Sequence, residues 1–104
     1  MSSTKGAALV TGASQGIGKA IALRLAKDGY AVAVNDIPSK AEAAHALVAE
    51  IATGSGHAVA ITGDASSEED VQAMIAKTVA ELGPLMVVSP SFILRNTGDE
   101  RQSL

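Results

Sequence analysis

The stretch Thr11-Gly12-Ala13-Ser14-Gln15-Gly16-Ile17-Gly18 decides the fold because of what lies on either side of it. An apolar run at residues 7–10 predicts a buried strand before it, and Ile17, Ile21 and Leu25 predict a helix after it. A strand that passes through glycines into a helix is typical of a phosphate-binding turn, because the first N–H groups of the helix point at the anion. The alternative is a strand–helix turn with a purely structural role.

The three glycines of this stretch have distinct predicted roles. Gly12 takes the tight turn after the strand, and Gly16 lets the backbone approach a pyrophosphate without a Cβ in the way. Gly18 lets the helix pack closely on the strand. The positive end of the helix dipole then faces the anion.

Composition limits the class of protein. The 104 residues, 47% hydrophobic and 18% charged, predict one small globular domain. A net charge of −3 argues against nucleic acid or an anionic membrane as partner, and the lack of cysteine excludes disulfides and thiol catalysis. No apolar run approaches the length of a membrane span, and residues 1–5 lack the apolar region of a signal peptide, so the expected location is the cytoplasm. We expect no metal site, and His45 and His57 are isolated enough to predict structural roles.

Strand and helix patterns alternate along the chain. Strands are predicted at 7–11, 31–34, 58–61 and 85–88, and helices at 16–28, from 38 to 53 and from 66 to 82. Possible capping boxes, Ser39 with Glu42 and Ser66 with Glu69, begin the second and third helices. Their apolar faces comprise Ala44, Leu47, Val48 and Ile51 in the second, and Val71, Met74, Ile75, Thr78, Val79 and Leu82 in the third.

This alternation predicts a three-layer α/β fold with a Rossmann-like parallel sheet. Right-handed crossovers place the first two helices on one face and the third on the other, with strand order 3-2-1-4. The ligand crevice is then expected above the junction of strands one and four. We expect strand four to be an unpaired edge, followed at 89–104 by a poorly ordered tail that shows no sustained period.

Asp36 ends the second strand, where a dinucleotide fold places the acid that accepts hydrogen bonds from the adenosine ribose. A carboxylate there repels the extra phosphate of NADP. One pair of unit charges at 4 Å costs about 4 kcal/mol near a protein surface, which is roughly a thousandfold in affinity. No Arg or Lys occupies positions 15, 35 or 37, so NAD is favoured over NADP. The alternative is a turn-forming acid before Pro38.

Residues 11–18 match in full the Thr-Gly-x-x-x-Gly-x-Gly motif of the short-chain dehydrogenase/reductase family, which this chain resembles to about Leu85. The resemblance implies a partial NAD(P)-binding Rossmann domain at 1–88 and a non-matching tail at 89–104. It also implies that Asp64 binds the adenine amino group, that Ala65 supplies backbone contacts, and that Ile37 lines the adenine pocket. From the residues alone, Asp64 after Gly63 is equally a turn residue. The cofactor-binding residues are thus predicted to be Gly12, Ser14, Gln15, Gly16, Ile17, Gly18, Asp36, Ile37, Asp64 and Ala65.

The chain departs from the family pattern after the fourth strand. The family has an Asn-Asn-Ala-Gly type motif there, whereas this chain has Val88-Ser89-Pro90-Ser91. The family's catalytic Ser and its Tyr-x-x-x-Lys pair lie further along. Tyr30, the single tyrosine, has Val34 four residues later, so no catalytic residue is assigned. We hypothesise a frameshift, a retained intron or an early stop near Met86, which translation of the surrounding nucleotide sequence in all frames would test.

Residues 6–85, and residues 31–37 in particular, look most like the diacetyl or acetoin reductase branch of the family. That branch implies NAD-linked interconversion of small diketones and hydroxyketones by the parent protein. The resemblance therefore predicts the NAD-binding portion of an oxidoreductase, catalytically incomplete by itself. One alternative is a non-enzymatic module that pairs with a full-length relative, and another is a fragment that does not accumulate folded. Substrate and oligomeric state cannot be carried over.

Overall fold

A computed structural model describes residues 5–89 and 92–95. The elements alternate as the sequence patterns predict. In chain order they are β1 (Ala7–Val10), α1 (Gly16–Lys27), β2 (Ala31–Asp36), a 3-10 turn (Pro38–Lys40), α2 (Ala41–Thr53), β3 (His57–Thr62), α3 (Glu68–Leu82), β4 (Leu85–Ser89) and β5 (Phe92–Arg95).

The sheet has the order β3-β2-β1-β4-β5, and its first four strands are parallel. The predicted order 3-2-1-4 is thereby confirmed. Val10, the last residue of β1, pairs with Val34 of β2 and Val88 of β4. Because parallel strands end at the same edge of a sheet, the segments that follow β1, β2 and β3 all emerge on one side of the molecule.

The expectation that β4 is an unpaired edge is wrong. β5 lies antiparallel to it, with Met86 opposite Arg95 and Ser89 opposite Phe92. Antiparallel strands need very few intervening residues, so this short segment reaches β4 directly. The predicted tail at 89–104 therefore begins with the end of β4 and includes β5, and its remaining residues, 90–91 and 96–104, lie outside the described part of the chain.

Two cores lie on opposite faces of the sheet. α1 and α2 cover one face and α3 covers the other, as the crossover rule predicts. Both predicted apolar faces point into these cores. The first core is built around Val10, Ala13, Ala22, Val32, Val34, Ala44, Leu47 and Ile51, and the second around Ala7, Leu9, Ala31, Ala33, Ile61, Met74 and Leu85. The many alanines allow helices and sheet to approach closely without voids.

Both predicted capping boxes are wrong. Ser39 lies inside the 3-10 turn, so α2 begins at Ala41 and no side chain caps it. α3 is capped one residue later than predicted, by Ser67, whose Oγ accepts a hydrogen bond from the N–H of Asp70 at 3.2 Å. Ser66 is unavailable for this role because its hydroxyl donates to Asp64 instead.

Candidate functional site

The glycine turn has the conformation that its sequence predicts. Gly12 and Gly16 have φ angles of +61° and +62°, in the left-handed region that favours glycine. Gly12 thus turns the chain immediately after β1. An added Cβ at Gly16 would meet no atom within 4 Å, so the backbone at the start of α1 faces open space. A ligand can approach this backbone without a side chain in the way.

Gly18 lies where α1 crosses the turn. A Cβ at this position would overlap the carbonyl oxygen of Gly12 and lie 2.8 Å from the carbonyl carbon of Gly12 and 3.1 Å from the Cα of Ala13. Real Cβ atoms do not approach backbone atoms so closely. The predicted close packing of the helix on the strand is therefore present, and it depends on the missing side chain.

The N-terminus of α1 is electropositive and uncapped. Gln15 is the N-cap residue, but its side chain makes no capping hydrogen bond, and the first turn of α1 contains no acidic residue. The first N–H groups of a helix have no partner within the helix. Their partial positive charge is therefore not neutralised by the helix itself, and Ile17, at 69% exposure, lies beside them at the surface.

Asp36 joins the end of β2 to the glycine turn. Its Oδ2 accepts two hydrogen bonds from Ser14, from the backbone N–H at 3.2 Å and from the hydroxyl at 2.6 Å. Its Oδ1 accepts from the N–H of Ile37 at 2.9 Å, and Asp36 itself is only 9% exposed. The N–H of Ala13 also donates to the carbonyl of Asn35, at 2.9 Å. These bonds fix the carboxylate of Asp36 beside the residues that lead into the N-terminus of α1.

The carboxylate of Asp36 is held in its ionised form. Burial raises its pKa, but hydrogen bonds from Ser14 and Ile37, together with the charge of Lys40, outweigh that effect and leave the pKa below its usual value. An anion is therefore fixed at the carboxyl end of β2. The contact with Ile37 also gives Asp36 a turn-forming role, so the two interpretations of this residue are compatible.

This lowered pKa predicts that stability depends on pH. The contribution of Asp36 is complete above the unfolded-state pKa of 3.8 and is lost as the pH falls from there through the folded-state value. We expect the urea concentration at the unfolding midpoint to decrease as the pH is lowered below about 4. This decrease should be less steep in Asp36→Asn. Equal slopes in the two proteins, or a carboxyl carbon titration of Asp36 centred above 3.8, would contradict this account.

Asp64 is exposed and forms a turn. Its Oδ1 accepts from the N–H of Ser66 at 2.9 Å and from the Ser66 hydroxyl at 2.7 Å, and these bonds lower its pKa. The N–H of Asp64 donates to Asp70 at 2.9 Å. The turn interpretation is thus observed, whereas contact with an adenine ring stays a prediction for Asp64 and for its exposed neighbour Ala65.

The ends of β2 and β3 bring the predicted adenosine-binding residues to one edge. The N–H of Gly63 donates to the carbonyl of Asp36 at 3.0 Å, which places Asp64 near Asp36. Ile37, 40% exposed, directly follows Asp36 at the end of β2. The predicted residues of both the glycine turn and the adenosine end therefore face the same side of the sheet.

Sequence reasoning missed Asn35, whose side chain links the end of β2 to the end of β3. Asn35 is almost fully buried, and its Nδ2 donates to the carbonyls of Ile61 at 2.9 Å and Gly63 at 3.2 Å. The signal was available, because a polar residue continues an otherwise apolar strand. Sequence reasoning also missed Lys40, whose Nζ lies 3.3 Å from Oε1 of Gln15.

A separate pocket of about 380 Å³ lies along the outer edge of β3, lined in part by His45, Asp70, Met74 and Lys77. It includes none of the predicted cofactor-binding residues. Within residues 5–89 and 92–95 there is no group of three or more His, Cys, Asp and Glu residues arranged to hold a metal ion. None of the helices in that part of the chain is both long and apolar enough to cross a membrane.

Comparison with known proteins identifies the family. Its profile, described as short chain dehydrogenase, matches residues 6–100, which extends beyond the motif agreement that ends near Leu85. The chain is 47% identical over 88 residues to the short-chain dehydrogenase/reductase eriH of Hericium erinaceus, covering 83% of this chain and 35% of that protein. It is 44% identical over 97 residues to the 3-oxoacyl-[acyl-carrier-protein] reductase FabG of Staphylococcus aureus, covering 93% and 37%.

Solved structures show the same relationship. A dehydrogenase/reductase from Sinorhizobium meliloti superposes with a TM-score of 0.78 at 45% identity, over 85% of this chain and 35% of that one. A 7α-hydroxysteroid dehydrogenase in complex with NADH and 7-oxo glycochenodeoxycholic acid superposes with a TM-score of 0.76 at 36% identity, over 82% and 32%. This chain thus spans about a third of the length of these relatives, and it belongs to the short-chain dehydrogenase/reductase family.

Proposed function

We propose that this chain is the NAD-binding N-terminal portion of a short-chain oxidoreductase. One observation carries the proposal. An ionised Asp36, fixed by Ser14, lies beside an uncapped helix N-terminus whose Gly16 backbone faces open space. The helix end suits a pyrophosphate, and the carboxylate suits the hydroxyls of the adjoining ribose. The nicotinamide would supply or accept the hydride, and the residues of this chain would bind and orient the adenosine half.

Asp36 also supports NAD as the preferred dinucleotide. Its carboxylate is ionised and partly enclosed, so a second anion on the ribose would face it at close range. Repulsion between unit charges at that range costs about 4 kcal/mol near a protein surface. Of the remaining predicted contacts, Ile37 and Asp64 are both exposed, just after the carboxyl ends of β2 and β3, which supports their proposed access to an adenine ring.

For the parent protein we propose NAD-linked oxidoreduction of small ketones and alcohols in the cytoplasm. The resemblance of residues 31–37 supports the diacetyl and acetoin branch. The similar proteins named above have other compounds in their descriptions, a 3-oxoacyl group on acyl-carrier protein as the group reduced and 7-oxo glycochenodeoxycholic acid as a bound molecule. All of these compounds contain a ketone, so reduction of a ketone carbonyl is the chemistry that we propose for the parent protein.

We propose further that the 104-residue chain alone does not turn over a ketone. Tyr30 is its single tyrosine and lies immediately before β2, at the amino end of that strand. The glycine turn and Asp36 lie at the opposite, carboxyl ends of the strands. For a strand as long as β2, this end is about 20 Å from Tyr30. Tyr30 is therefore placed too far from the cofactor site to exchange a proton with a substrate there.

Titration of the purified chain with NAD tests the binding proposal. A ligand present at about 100 times its Kd stabilises the folded state by about 2.7 kcal/mol, which thermal unfolding and calorimetry both detect. Ile17→Glu is the informative variant, because a carboxylate in the first turn favours the helix but repels a pyrophosphate. Ile17→Gln is its neutral control. We expect Ile17→Glu to be as stable as the control and to bind NAD about tenfold less tightly.

The outcomes separate the two functional hypotheses. Stabilisation by NAD that is weakened in Ile17→Glu supports the cofactor site. A folded chain that shows no response to NAD contradicts it and favours the alternative of a non-enzymatic module. Reduction of diacetyl by this chain with NADH would contradict the proposal that it is catalytically incomplete.

A further inference from the structure

Asn35 is a polar residue inside the sheet, one position before Asp36. Its side chain is almost fully buried, and it follows Val34, which belongs to the first core. Burying an amide costs free energy unless the amide is hydrogen-bonded, whereas an apolar side chain would fill this position without that requirement. The hydrogen bonds of Asn35 therefore indicate what the amide does at the end of β2.

The amide of Asn35 holds the end of β3. Its Nδ2 donates to the carbonyl of Ile61 at 2.9 Å and to the carbonyl of Gly63 at 3.2 Å. Gly63 immediately precedes Asp64, just as Asn35 immediately precedes Asp36. One buried side chain thus joins the two positions that come directly before the acids of the proposed adenosine site.

Met74 of α3 supports this amide. Its Sδ lies 2.9 Å from Nδ2 of Asn35, and Met74 is itself buried in the second core. A thioether is only a weak acceptor, so the two carbonyls of β3 remain the stronger partners. The close approach depends on Gly63, because a Cβ at that position would lie 2.6 Å from the sulfur. Packing as well as hydrogen bonding therefore sets the orientation of the Asn35 side chain.

Asp64 has one carboxylate oxygen available for a ligand. Its Oδ1 accepts both hydrogen bonds from Ser66, and Oδ2 accepts none from the described residues. Its main chain is held by two hydrogen bonds, from the N–H of Gly63 to the carbonyl of Asp36 at 3.0 Å and from its own N–H to Asp70 at 2.9 Å. The position of Oδ2 therefore follows the position of the main chain at the end of β3.

We propose that Asn35 is a positioning residue, which fixes the Asp64 carboxylate relative to that of Asp36 and thereby gives the site its selectivity for an adenine base. The inference rests on the proposed function, in which Asp36 binds the ribose and Asp64 binds the adenine amino group. A base is joined to its ribose by one bond, so both acids bind the same adenosine only if their separation fits it. A hydrogen bond is lost when its atoms move apart by less than 1 Å. Release of the Gly63 carbonyl is thus enough to remove the contact between Asp64 and the base.

The experiment compares NAD with nicotinamide hypoxanthine dinucleotide, in which an oxygen replaces the amino group of the adenine. The ratio of the Kd for this analogue to the Kd for NAD, measured by calorimetry on the full chain, reports the contact with the amino group. Both ligands bind the same folded state, so a variant that is merely less stable loses affinity for both and keeps the ratio. A hydrogen bond to a charged acceptor predicts a ratio of about ten for the unsubstituted chain.

Asn35→Leu removes the amide at nearly constant volume and should lower this ratio to within about twofold of one, by weakening NAD about tenfold. Asn35→Thr is a second variant that suits a strand, and its hydroxyl ends one bond nearer the main chain than Nδ2 does, so we expect the same loss. Thr78→Val is the matched control. It removes another buried hydrogen bond, from the hydroxyl of Thr78 to the carbonyl of Met74 at 2.7 Å, and should keep the ratio at about ten.

The outcomes distinguish this inference from the proposed function. If the unsubstituted chain binds NAD but its ratio is already close to one, or if both Asn35 variants keep a ratio of about ten, the inference is overturned and the proposed function stands. An equal fall in Thr78→Val would also overturn it, because general loosening of the fold would then explain the effect. If the folded, unsubstituted chain binds neither dinucleotide, the proposed function fails, and the role of Asn35 fails with it.

Discussion

Replacing Gly18 by Ala is expected to destabilise the fold by about 3 kcal/mol and to abolish dinucleotide binding under conditions where the unsubstituted chain binds. The new Cβ would overlap the carbonyl oxygen of Gly12 and lie 2.8 Å from its carbonyl carbon. Because both atoms belong to the backbone, no rotamer change relieves the overlap. α1 must move away from β1, which displaces the glycine turn and the helix end that the proposed pyrophosphate requires.

Gly54→Ala is the matched control, since the same methyl group there lies 3.6 Å from the carbonyl oxygen of Ile51, an ordinary contact. Gly54 has φ of −94°, which alanine also adopts, so its stability should stay within about 1 kcal/mol of the original. Urea unfolding measures both variants. A loss in Gly18→Ala no larger than in Gly54→Ala would show that α1 has room to shift.

The order of elements was predictable because it depends on strong local signals. Apolar runs, each preceded by a glycine, marked the four parallel strands, and the handedness of the crossovers then left one arrangement of layers. β5 was not predictable in the same way. Phe92, Ile93 and Leu94 are too few to show a period, and their strand conformation depends on pairing with β4.

Cap positions were predicted less well because neighbouring polar groups compete. Ser66 fits the spacing of a capping box, but the carboxylate of Asp64 lies two residues away and accepts bonds from both its N–H and its hydroxyl. Ser67 then caps α3 instead. Spacing alone does not show which of two adjacent serines has the stronger alternative partner.

In the candidate site, the backbone requirements were visible in the sequence and the side-chain reach was not. The sequence predicted the conformations of the glycine turn from Gly12, Gly16 and Gly18, and it predicted an acid at the end of β2 from Asp36. The contact between Lys40 and Gln15 depends on a 3-10 turn that the helical pattern concealed. A cation sought only at positions adjacent to the acid is therefore missed.

Replacing Asp36 by Asn is expected to cause the largest change in cofactor preference. It removes the buried negative charge while an amide oxygen still accepts a hydrogen bond from Ser14 or Ile37. Repulsion of a 2′-phosphate by one unit charge corresponds to roughly a thousandfold in affinity, so the ratio of the NADP Kd to the NAD Kd should fall by about two to three orders of magnitude. NAD affinity itself should fall about tenfold, because hydrogen bonds to a charged acceptor are stronger.

The substitution also has a structural cost that must be separated from recognition. Asn presents an NH₂ group where the second carboxylate oxygen accepted a bond, so one N–H or hydroxyl at Ser14 or Ile37 loses its partner, at about 1–3 kcal/mol. Such a loss lowers the affinity for both dinucleotides by reducing the folded fraction, but it leaves their ratio unchanged. The ratio is therefore the measurement that reports the charge.

Asp64→Asn is the matched control for this experiment, since it makes the same change in net charge at an exposed acid along the same edge. Asp64 is predicted to contact the adenine rather than the ribose, so the ratio of the two Kd values in Asp64→Asn should stay within about twofold of the original. If Asp36→Asn and Asp64→Asn shift the ratio equally, preference comes from the overall charge of this edge. If Asp36→Asn alone shifts it, the carboxylate that Ser14 holds at the end of β2 is the group that distinguishes the two cofactors.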